Sequence, residues 1–567
     1  MDKNHKKAIE NRLGFYIVAD NEINIIKILE KIVSFLETHI DYKLFEDLYK
    51  DYFDEEINFC SENDFVKKFL PNLNNHQLKS RLERMKTISL SVIYKEIYGM
   101  IFGCYQENAK MLSLEDYKKK RENSFSKDEC EVIYGLAKEF EKYKKTQNLF
   151  DNNEISYKLL QNKHILKKYS LSIIDEVQDY TEINLNLLKA ISIKMFCVGD
   201  ALQMINPAYF SFSYLKQLMY NENVTSVAEL ECNYRNNKKI VELLDGLSKI
   251  NTMQFGTHSF VLKGESLDEN TISNVICTFD KNFIEKLKKE KFENFTILVN
   301  DHKEKKMLKE VIGKQEILTI SEVKGLERET VVLYNILSSN FDKWQRLNFL
   351  NINHKSADEN SVYRYYFNLF YVGLSRAKHN IFVYEEKKVN IFENYLNENF
   401  VVLNGFETYE MFTDIVGKIE IDEDEILERI NEFIKLGQFD NARFYAEKLD
   451  NDYESKMQFE KIDAYEQFIF KGKNKQAGIK LWKAGLISEA KEQFEICGET
   501  KLIEFLERLE NKNQTNLDAD IVRFFVDFED NPDAQELIID VVKQDLEQIR
   551  NNHKEIKQKL KVFKEKK

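Results

Sequence analysis

Prolines and glycines are scarce in this sequence, which holds 3 prolines and 18 glycines in 567 residues. Because these two residue types supply most breaks in secondary structure, the chain has few points at which a helix must end. Lys, Glu, Leu and Phe recur at helical spacing over long stretches, and we therefore expect helix to outweigh strand.

Paired cysteines and long apolar runs are also missing. The seven cysteines form no C-x-x-C pair and their number is odd, a pattern typical of reduced thiols in a cytosol rather than of disulfides or a zinc site. Four of the first five residues are polar or charged, and no stretch approaches the ~18 consecutive apolar residues that a membrane-spanning helix needs. We therefore expect a soluble, cytoplasmic protein without a membrane partner.

An excess of basic residues is absent as well. The formal net charge of −13 argues against a surface that is basic all over, but it does not exclude a local groove of Lys and Arg that binds nucleic acid. With 43% hydrophobic and 13% aromatic residues, the chain is long enough for three or four packed domains.

The pattern of apolar residues changes along the chain. Residues 22–165 favour helix, with amphipathic runs at Ile25–Leu36 and Glu131–Lys145 and one early strand candidate at Phe15–Ala19. From about 171 to 385, short β-branched runs alternate with helical patterns, which predicts a parallel sheet with crossover helices. The predicted strands are Ser172–Ile174, Met195–Val198, Phe295–Val299, Ile317–Ile320, Thr330–Leu333 and Ile381–Tyr384.

Beyond about residue 420 the helical pattern returns, and the segments Gly437–Ala442 and Gly485–Ala490 match at an offset of 48 residues. Each places a glycine at a turn and a small alanine in the next helix, as helical-hairpin repeats do. A tetratricopeptide-like array and an ordinary helical bundle both fit this pattern. The last stretch, 554–567, holds seven Lys against two Glu and is either a phosphate-contacting tail or a solvated helix end.

Acidic residues follow the first predicted strand of the alternating region. The apolar run that begins at Leu171 ends in Asp175 and Glu176, and ligands of parallel sheets bind beyond the carboxyl ends of the strands. One carboxylate there is a suitable ligand for Mg²⁺, and a neighbouring one can orient an attacking water. A solvated turn is the alternative explanation for the same acids.

A second loop follows 25 residues later, where Gly199–Gln203 comes after the strand Met195–Val198. The helical pattern Ile183–Ile191 between the two strands suits one right-handed crossover, which would place the two loops side by side. Gln203 could then sense a phosphate. The alternative is a surface glutamine in a tight turn.

These two loops and three later segments resemble, in order, the motifs of the UvrD/Rep-type superfamily 1 helicases. The matching segments are Asp175–Asp179 (motif II), Gly199–Gln203 (motif III), Asn233–Arg235 (motif IV), Thr319–Glu327 (motif V) and Tyr371–Ala377 (motif VI). The resemblance implies an ATP-dependent DNA motor with ATP and Mg²⁺ as cofactors.

The resemblance also implies a role for individual residues. Asp175 would hold Mg²⁺, Glu176 would position the hydrolytic water, and Gln203 would link the γ-phosphate to the DNA side of the site. The other implied site residues are Asp200 and Gly325 in the nucleotide-binding loops, Tyr234 stacked on the adenine, Glu327 on the ribose, and Arg235 and Arg376 as arginine fingers. Tyr234 as a core aromatic and Arg376 as an ordinary helix-end cation are the alternatives.

The phosphate-binding loop of this family, G-x-x-x-x-G-K-[ST], does not occur in these 567 residues. The Gly-Lys pairs at 313, 417 and 472 are not followed by a hydroxyl residue. Residues 15–21 could carry the strand of motif Ia, which in the family follows that loop. We therefore expect a truncated chain, a mis-assigned start or a split enzyme, and a chain that does not hydrolyse ATP by itself.

A second departure lies after Gln203, where the expected DNA-stacking aromatics arrive late, at Tyr209 and Phe210. The chain has this departure, a long helical segment before motif II and helical repeats after motif VI. In these three features it resembles the branch of helicase-like proteins that contain tetratricopeptide and ankyrin repeats.

The sequence thus predicts an α/β protein with two RecA-like P-loop NTPase domains, the first incomplete and carrying a helical insertion, and a C-terminal α-helical repeat region. The predicted boundaries are 1–240, 241–395, 396–530 for the repeats and 531–567 for a charged helical tail. The favoured function is an ATP-dependent 3′-to-5′ helicase or translocase on single-stranded or partly duplex DNA, which lacks the phosphate-binding loop and is therefore inactive alone. The alternative is an ATPase-dead scaffold, or a split-enzyme subunit whose loop a separate chain supplies, that binds protein partners through its helical repeats.

Overall fold

The chain forms two compact units, residues 1–227 with 356–362, and residues 228–355 with 363–567. The computed structural model describes residues 45–506, apart from gaps at 54–57, 86–87, 108, 123, 206–211, 221–235, 256–272, 289–293, 314, 343, 346–360, 418–421, 470–472, 501 and 504–505. The predicted strand Phe15–Ala19, the predicted helix Ile25–Leu36, the late aromatics at 209–210 and the tail at 531–567 lie outside the described residues.

Helices dominate the first unit up to residue 165. The α-helices described in this unit are α1 (Phe45–Lys50), α2 (Glu62–Asp64), α3 (His76–Arg84), α4 (Leu90–Lys95), α5 (Leu114–Arg121), α6 (Lys127–Thr146), α7 (Asn152–Gln161), α8 (Glu182–Ile191) and α9 (Phe212–Tyr220). The π-helical segments Phe65–Phe69 and Glu96–Phe102 continue α2 and α4. Helix α6 begins at a capping box, in which the Ser126 hydroxyl accepts the N–H of Glu129 and the Glu129 carboxylate accepts the N–H of Ser126. Ile133, Ala137 and Phe140 recur at helical spacing and are buried, so α6 presents one apolar face to the core.

Two short parallel ladders belong to the first unit. Strand β1 (Asn58–Phe59) pairs with β2 (Leu149–Phe150), and β3 (Ser172–Ile174) pairs with β4 (Met195–Cys197). Helix α8 connects β3 to β4, which is the strand-helix-strand arrangement predicted from the sequence. One face of this pair packs with α8 into a core that contains Ile174, Val177, Leu185 and Met204.

The other face of β3 and β4 is apolar and open. Ile173 is 66% exposed and Phe196 is 58% exposed, and the two residues are register partners on neighbouring strands. Side chains alternate between the two faces of a strand, so these residues lie opposite the α8 core. Parallel sheets usually have both faces covered, and the described residues leave this face uncovered.

A six-stranded parallel sheet organises the second unit, in the order β10-β5-β9-β8-β6-β7. Its strands are β5 (Val275–Thr278), β6 (Thr296–Val299), β7 (Ile317–Thr319), β8 (Arg328–Tyr334), β9 (Ala377–Tyr384) and β10 (Val401–Val402). The four strands predicted here appear as β6 to β9, and β8 and β9 are longer than predicted. Strands β1, β2, β5 and β10 were not predicted, because two-residue strands have no periodicity and a short, fully buried run such as β5 can equally be a helix.

Helices cover this sheet. They are α10 (Lys238–Phe255), α11 (Asn282–Leu287), α12 (His302–Ile312), α13 (Ser361–Ser375), α14 (Asn390–Asn399) and α15 (Gly405–Val416). On one side, Phe283, Phe382 and Phe412 meet with their ring centroids 5.2 to 6.2 Å apart. All three rings are buried, and burial of large side chains contributes about 1.5–3 kcal/mol each.

Five helices follow the sheet: α16 (Glu423–Lys435), α17 (Phe439–Ala446), α18 (Asp452–Gln467), α19 (Asn474–Lys483) and α20 (Ile487–Ile496). Each packs against the next one along the chain. The turns after α16 and α19 have the same geometry, because Gly437 and Gly485 both have positive φ, at 67° and 88°. In both turns the residue after the glycine donates its N–H to a carbonyl five residues earlier, which is the Schellman helix ending.

Candidate functional site

The acidic loop after β3 turns sharply at Glu176. This residue has a φ of 48° and a ψ of 44°, a left-handed conformation that is uncommon outside glycine, and its N–H donates to Asp175 Oδ1 at 2.8 Å. The N–H of Val177 then donates to the main-chain oxygen of Val198, just after β4. The turn leaves the side chains of Asp175 and Glu176 exposed at the carboxyl end of β3.

Gln178 connects this loop to the loop after β4. Its buried side chain donates through Nε2 to Glu176 Oε2 and accepts the N–H of Asp200 through Oε1 at 3.2 Å. Gly199 makes this approach possible, since a Cβ at that position would collide with Gln178 Oε1 and lie 2.7 Å from Val177 Cγ1. The sequence analysis gave Gln178 no role of its own, because a bridging amide is recognisable only once the two loops are adjacent.

Asp200 carries the connection on to Gln203. Its Oδ1 accepts the N–H of Leu202 at 2.8 Å, and its Oδ2 accepts a hydrogen bond from Gln203 Nε2 at 3.1 Å. Burial raises the pKa of Asp200 and the nearby Glu176 charge raises it further, while the hydrogen bonds from Leu202 and Gln203 act in the opposite direction. Hydrogen bonds therefore join Glu176, Gln178, Asp200 and Gln203 in one chain across the ends of β3 and β4.

In the second unit, Asn236 ties the end of the motif IV segment to motif VI. Its buried side-chain amide donates to the main-chain oxygens of Ser375 at 3.2 Å and of Ala377 at 2.7 Å. These two oxygens lie on either side of Arg376, so a single amide fixes the backbone around that residue. Tyr234 and Arg235, which directly precede Asn236, lie outside the described residues.

The motif V segment ends next to the backbone of Arg376. The N–H of Arg328 donates to the main-chain oxygen of Arg376 at 2.9 Å, where β8 and β9 begin. Glu327 is half-buried immediately before Arg328, and Gly325 is exposed with a φ of 88° in the preceding turn. Glu327 is therefore the residue directly before the backbone contact between Arg328 and Arg376.

The Arg376 side chain is 1% exposed and turns toward its own helix end. Its Nε donates to the main-chain oxygen of Val372 at 3.3 Å, and its guanidinium also donates to Ser375 Oγ at 2.9 Å. This is the contact that the helix-end alternative predicts. A role toward a nucleotide requires the guanidinium to exchange these contacts for phosphate oxygens.

Asp175 is the candidate ligand for a divalent metal ion in the first unit. Within the part of the chain that the structure describes, no group of three or more His, Cys, Asp and Glu side chains could hold a metal ion. Mg²⁺ usually takes one or two carboxylates and completes its shell with water and phosphate oxygens. The exposed Asp175 carboxylate at the strand end fits that mode of binding.

No helix among the described residues is both long enough and apolar enough to cross a membrane.

Comparison with known proteins matches two parts of the chain to helicase domains. Residues 3–209 match the UvrD/REP helicase N-terminal domain, and residues 269–388 match the UvrD-like helicase C-terminal domain. The chain is also similar to the TPR and ankyrin repeat-containing protein 1 of Homo sapiens, with 27% identity over 296 residues. That alignment covers 45% of this chain and 10% of the human protein, so the chain spans about a tenth of that relative's length.

The first domain match contains the Glu176-to-Gln203 chain of hydrogen bonds, and the second contains the contact between Arg328 and Arg376. Both domains are those of DNA helicases and translocases that use ATP with a metal ion, and their mixed α/β fold with parallel strands is the fold observed here. The chain belongs to the UvrD/Rep-type superfamily 1 helicases.

Proposed function

We propose that this chain is the greater part of an ATP-driven motor that moves 3′ to 5′ on single-stranded or partly duplex DNA in the cytoplasm. Because these 567 residues contain no G-x-x-x-x-G-K-[ST] sequence, the chain does not hydrolyse ATP by itself. The missing loop comes from residues outside this sequence or from a separate chain. The division at residues 240, 395 and 530 into two RecA-like domains, a helical repeat region and a tail is part of this proposal.

The observation that carries the proposal is the hydrogen-bonded chain from Glu176 through Gln178 and Asp200 to Gln203. Glu176 positions the attacking water, and Gln203 reports the γ-phosphate to the DNA side of the motor. Since the two residues are linked through the buried Gln178 side chain and the half-buried Asp200, a change at one is transmitted to the other. Such a link is what coupling between hydrolysis and movement requires.

The proposal also assigns a role to each of the remaining site residues. Asp175 holds Mg²⁺, which when bound neutralises charge on the phosphates. Tyr234 stacks on the adenine, Glu327 hydrogen-bonds the ribose, and Gly325 allows the turn that aims Glu327. Arg235 and Arg376 reach the γ-phosphate.

The test is ATP hydrolysis by the 567-residue chain with single-stranded DNA, before and after adding a segment from the same locus that carries G-x-x-x-x-G-K-[ST]. Hydrolysis is expected only after the addition. Glu176→Gln should reduce it by at least about 10²-fold, because the water loses its orienting carboxylate. Glu115→Gln is the matched control, since Glu115 is 87% exposed at its side chain and distant in the chain from the site.

Two results contradict the proposal. Hydrolysis by the chain without the added segment would remove the need for an external loop. Activity that survives Glu176→Gln would show that the catalytic assignment is wrong.

A scaffold function is the second candidate, and the repeated hairpin turns favour it. Leu436 is 45% exposed beside the first turn, Tyr453 is 69% exposed at the start of α18, and Ile496 is 62% exposed at the end of α20. Exposed apolar residues on a helical array are typical of a surface that binds a protein partner. If added loop segment and DNA never produce hydrolysis while the chain remains folded, the scaffold is favoured over the motor.

A further inference from the structure

The loop 320–327 between β7 and β8 is held at both ends by the helices α16 and α17. This loop carries Gly325 and Glu327, two residues of the proposed nucleotide site, on whose assignment the functional part of this inference rests. Its two ends are fixed by different contacts, and both sets of contacts reach the same helical hairpin.

At the first end, the hairpin contacts the loop through an amide. Gln438, which follows the glycine of the hairpin turn, donates through Nε2 to the main-chain oxygen of Glu322 at 2.7 Å. The Glu322 side chain turns back and accepts the N–H of Thr319 at 2.7 Å, while Thr319 Oγ1 accepts the N–H of Glu322 at 3.2 Å. These reciprocal bonds close the start of the loop, and Gln438 anchors it from outside.

A lysine adds charge to the same junction. Lys305 of α12 is 8% exposed and donates to both carboxylate oxygens of Glu322, at 2.7 and 2.8 Å, and to Asn441 Oδ1 at 3.2 Å. Asn441 in turn donates to Gln438 Oε1 at 2.8 Å. Burial raises the pKa of Glu322, but the Lys305 charge and the hydrogen bonds from Lys305 and Thr319 together outweigh it, so the pKa is lowered and the carboxylate stays charged beside the lysine.

At the other end, Arg328 joins the loop to α16. Its guanidinium donates to Glu316 Oε1 at 3.2 Å, to Glu432 Oε2 of α16 at 3.3 Å, and to the main-chain oxygen of Glu327 at 2.8 Å. It also lies over the Phe433 ring, 5.7 Å from the centroid. One buried side chain therefore holds the backbone of Glu327 and the helix that leads into the hairpin turn.

The second hairpin shows that this contact is not a general property of the repeat. Its turn has the same glycine geometry, but Leu486 occupies the position of Gln438 and is buried in the helical core. Glu489 occupies the position of Asn441 and pairs with Lys461 of α18 at 3.1 Å. Of these two hairpins, only the first places a side-chain amide against the loop, with a second amide behind it.

We propose that Gln438 and Asn441 are positioning residues for the 320–327 loop, so that the helical region sets the conformation in which Gly325 and Glu327 are presented. Neither residue acts on a ligand directly. A change in the helical hairpin reaches the site through Glu322 at one end of the loop and through Arg328 at the other.

Amide hydrogen exchange of the 567-residue chain, measured without nucleotide, tests the positioning. In Gln438→Ala and Asn441→Ala, peptides covering 319–327 should exchange about five-fold faster or more. The first variant removes the hydrogen bond to the Glu322 carbonyl, and the second removes the bonds by which Asn441 orients Gln438 and Lys305. Peptides of β6 and β9 should keep their parent rates. Glu489→Gln is the matched control in the second hairpin and should leave the loop unchanged.

Unchanged exchange at 319–327 in both variants overturns the proposal, and so does acceleration that is equal in every peptide, which would be a global loss of stability. Glu432→Gln provides a milder variant at the other end of the loop, because the Glu432 side chain is 37% exposed. It should accelerate exchange at 326–328 and leave the start of the loop at its parent rate. If Glu432→Gln accelerates exchange at neither end of the loop, the part of the proposal that concerns Arg328 is overturned.

A kinetic measurement separates this inference from the proposed function. In the assembly supplied with a phosphate-binding loop, Gln438→Ala should raise KM for ATP about five-fold and change kcat by less than about two-fold, as expected when a binding residue is mispositioned. If the parent assembly hydrolyses no ATP, the proposed function fails, while the exchange rates still decide whether the hairpin positions the loop. A fall in kcat of about five-fold with KM unchanged contradicts the positioning role.

Discussion

The side-chain amide of Asn236 donates to the main-chain oxygen of Ala377 at 2.7 Å and to that of Ser375 at 3.2 Å. Asn236 is 4% exposed, and the two carbonyls lie 139 and 141 positions further along the chain. Replacing this buried amide by an apolar side chain removes a hydrogen bond from each of the two carbonyls.

We therefore expect Asn236→Ala to lower the free energy of unfolding by about 2–3 kcal/mol, measured by urea denaturation. Asn399→Ala is a suitable control, because Asn399 makes a single bond to Tyr395 at the less buried end of α14. Its cost should be about 1 kcal/mol or less. Equal costs for the two variants would show that the second carbonyl contact of Asn236 contributes nothing.

Gly199→Ala should destabilise the first unit by about 1–3 kcal/mol, because the new methyl group would overlap Gln178 Oε1 and Val177 Cγ1. Gln178→Ala removes one of the two obstacles. The cost of Gly199→Ala should therefore be smaller in the Gln178→Ala background, and a double-mutant cycle in thermal unfolding measures the difference. Strict additivity of the two substitutions would contradict the contact.

The free energy of unfolding should depend on pH because the Glu385 carboxyl has a raised pKa. Burial raises the pKa of this carboxyl to about 7, although the N–H groups of Leu337 and Ser338 donate to it. In the native state the carboxyl thus keeps its proton to a higher pH than in the unfolded chain, where its pKa is near 4.5. Stability from this group is present below about pH 4.5 and is lost as the pH rises to about 7, by on the order of 3 kcal/mol.

Urea unfolding of the parent and of Glu385→Gln between pH 5 and pH 8 checks this expectation. The stability of the parent relative to the variant should fall as the pH rises through this window. Glu386→Gln, at the exposed neighbouring position, serves as the control and should follow the parent at every pH. A constant difference between the parent and Glu385→Gln would mean that the carboxyl is already ionised at pH 5.

Gly478→Ala tests the close packing of α19 on α20. A Cβ at this position would lie 2.5 Å from Phe494 Cε1, and we expect a loss of about 1–3 kcal/mol despite the better helix propensity of alanine. Gly478→Ala combined with Phe494→Leu should recover part of the loss in thermal unfolding. If Gly478→Ala alone is stabilising, the two helices are not in the close contact described.

Local pattern was sufficient to predict several elements. The strands at 172, 195, 296, 317, 328 and 377 were found from β-branched runs, and the crossover helix α8 from its spacing. Helix α6 was predicted from the amphipathic run Glu131–Lys145 and is a few residues longer, at Lys127–Thr146. These predictions succeeded because periodicity within one element reports which of its faces is buried.

Contacts between elements were not predictable in the same way. The bridging role of Gln178 and the anchoring role of Asn236 depend on partners that lie far away in the chain or in a neighbouring loop. The same is true of the contact between Gln438 and Glu322, 116 positions apart. A polar side chain has the same appearance in a sequence whether it is solvated or buried with a partner.

The sequence alone determined the family, the order of its motifs and the absence of a G-x-x-x-x-G-K-[ST] segment from these 567 residues, because those features are strings of adjacent residues. The tertiary structure decided that Glu176 is connected to Gln203, that Arg376 turns toward its own helix end, and that one helical hairpin holds the 320–327 loop. These relationships arise from strand register and helix packing, which bring distant residues within hydrogen-bond distance and which no local pattern encodes.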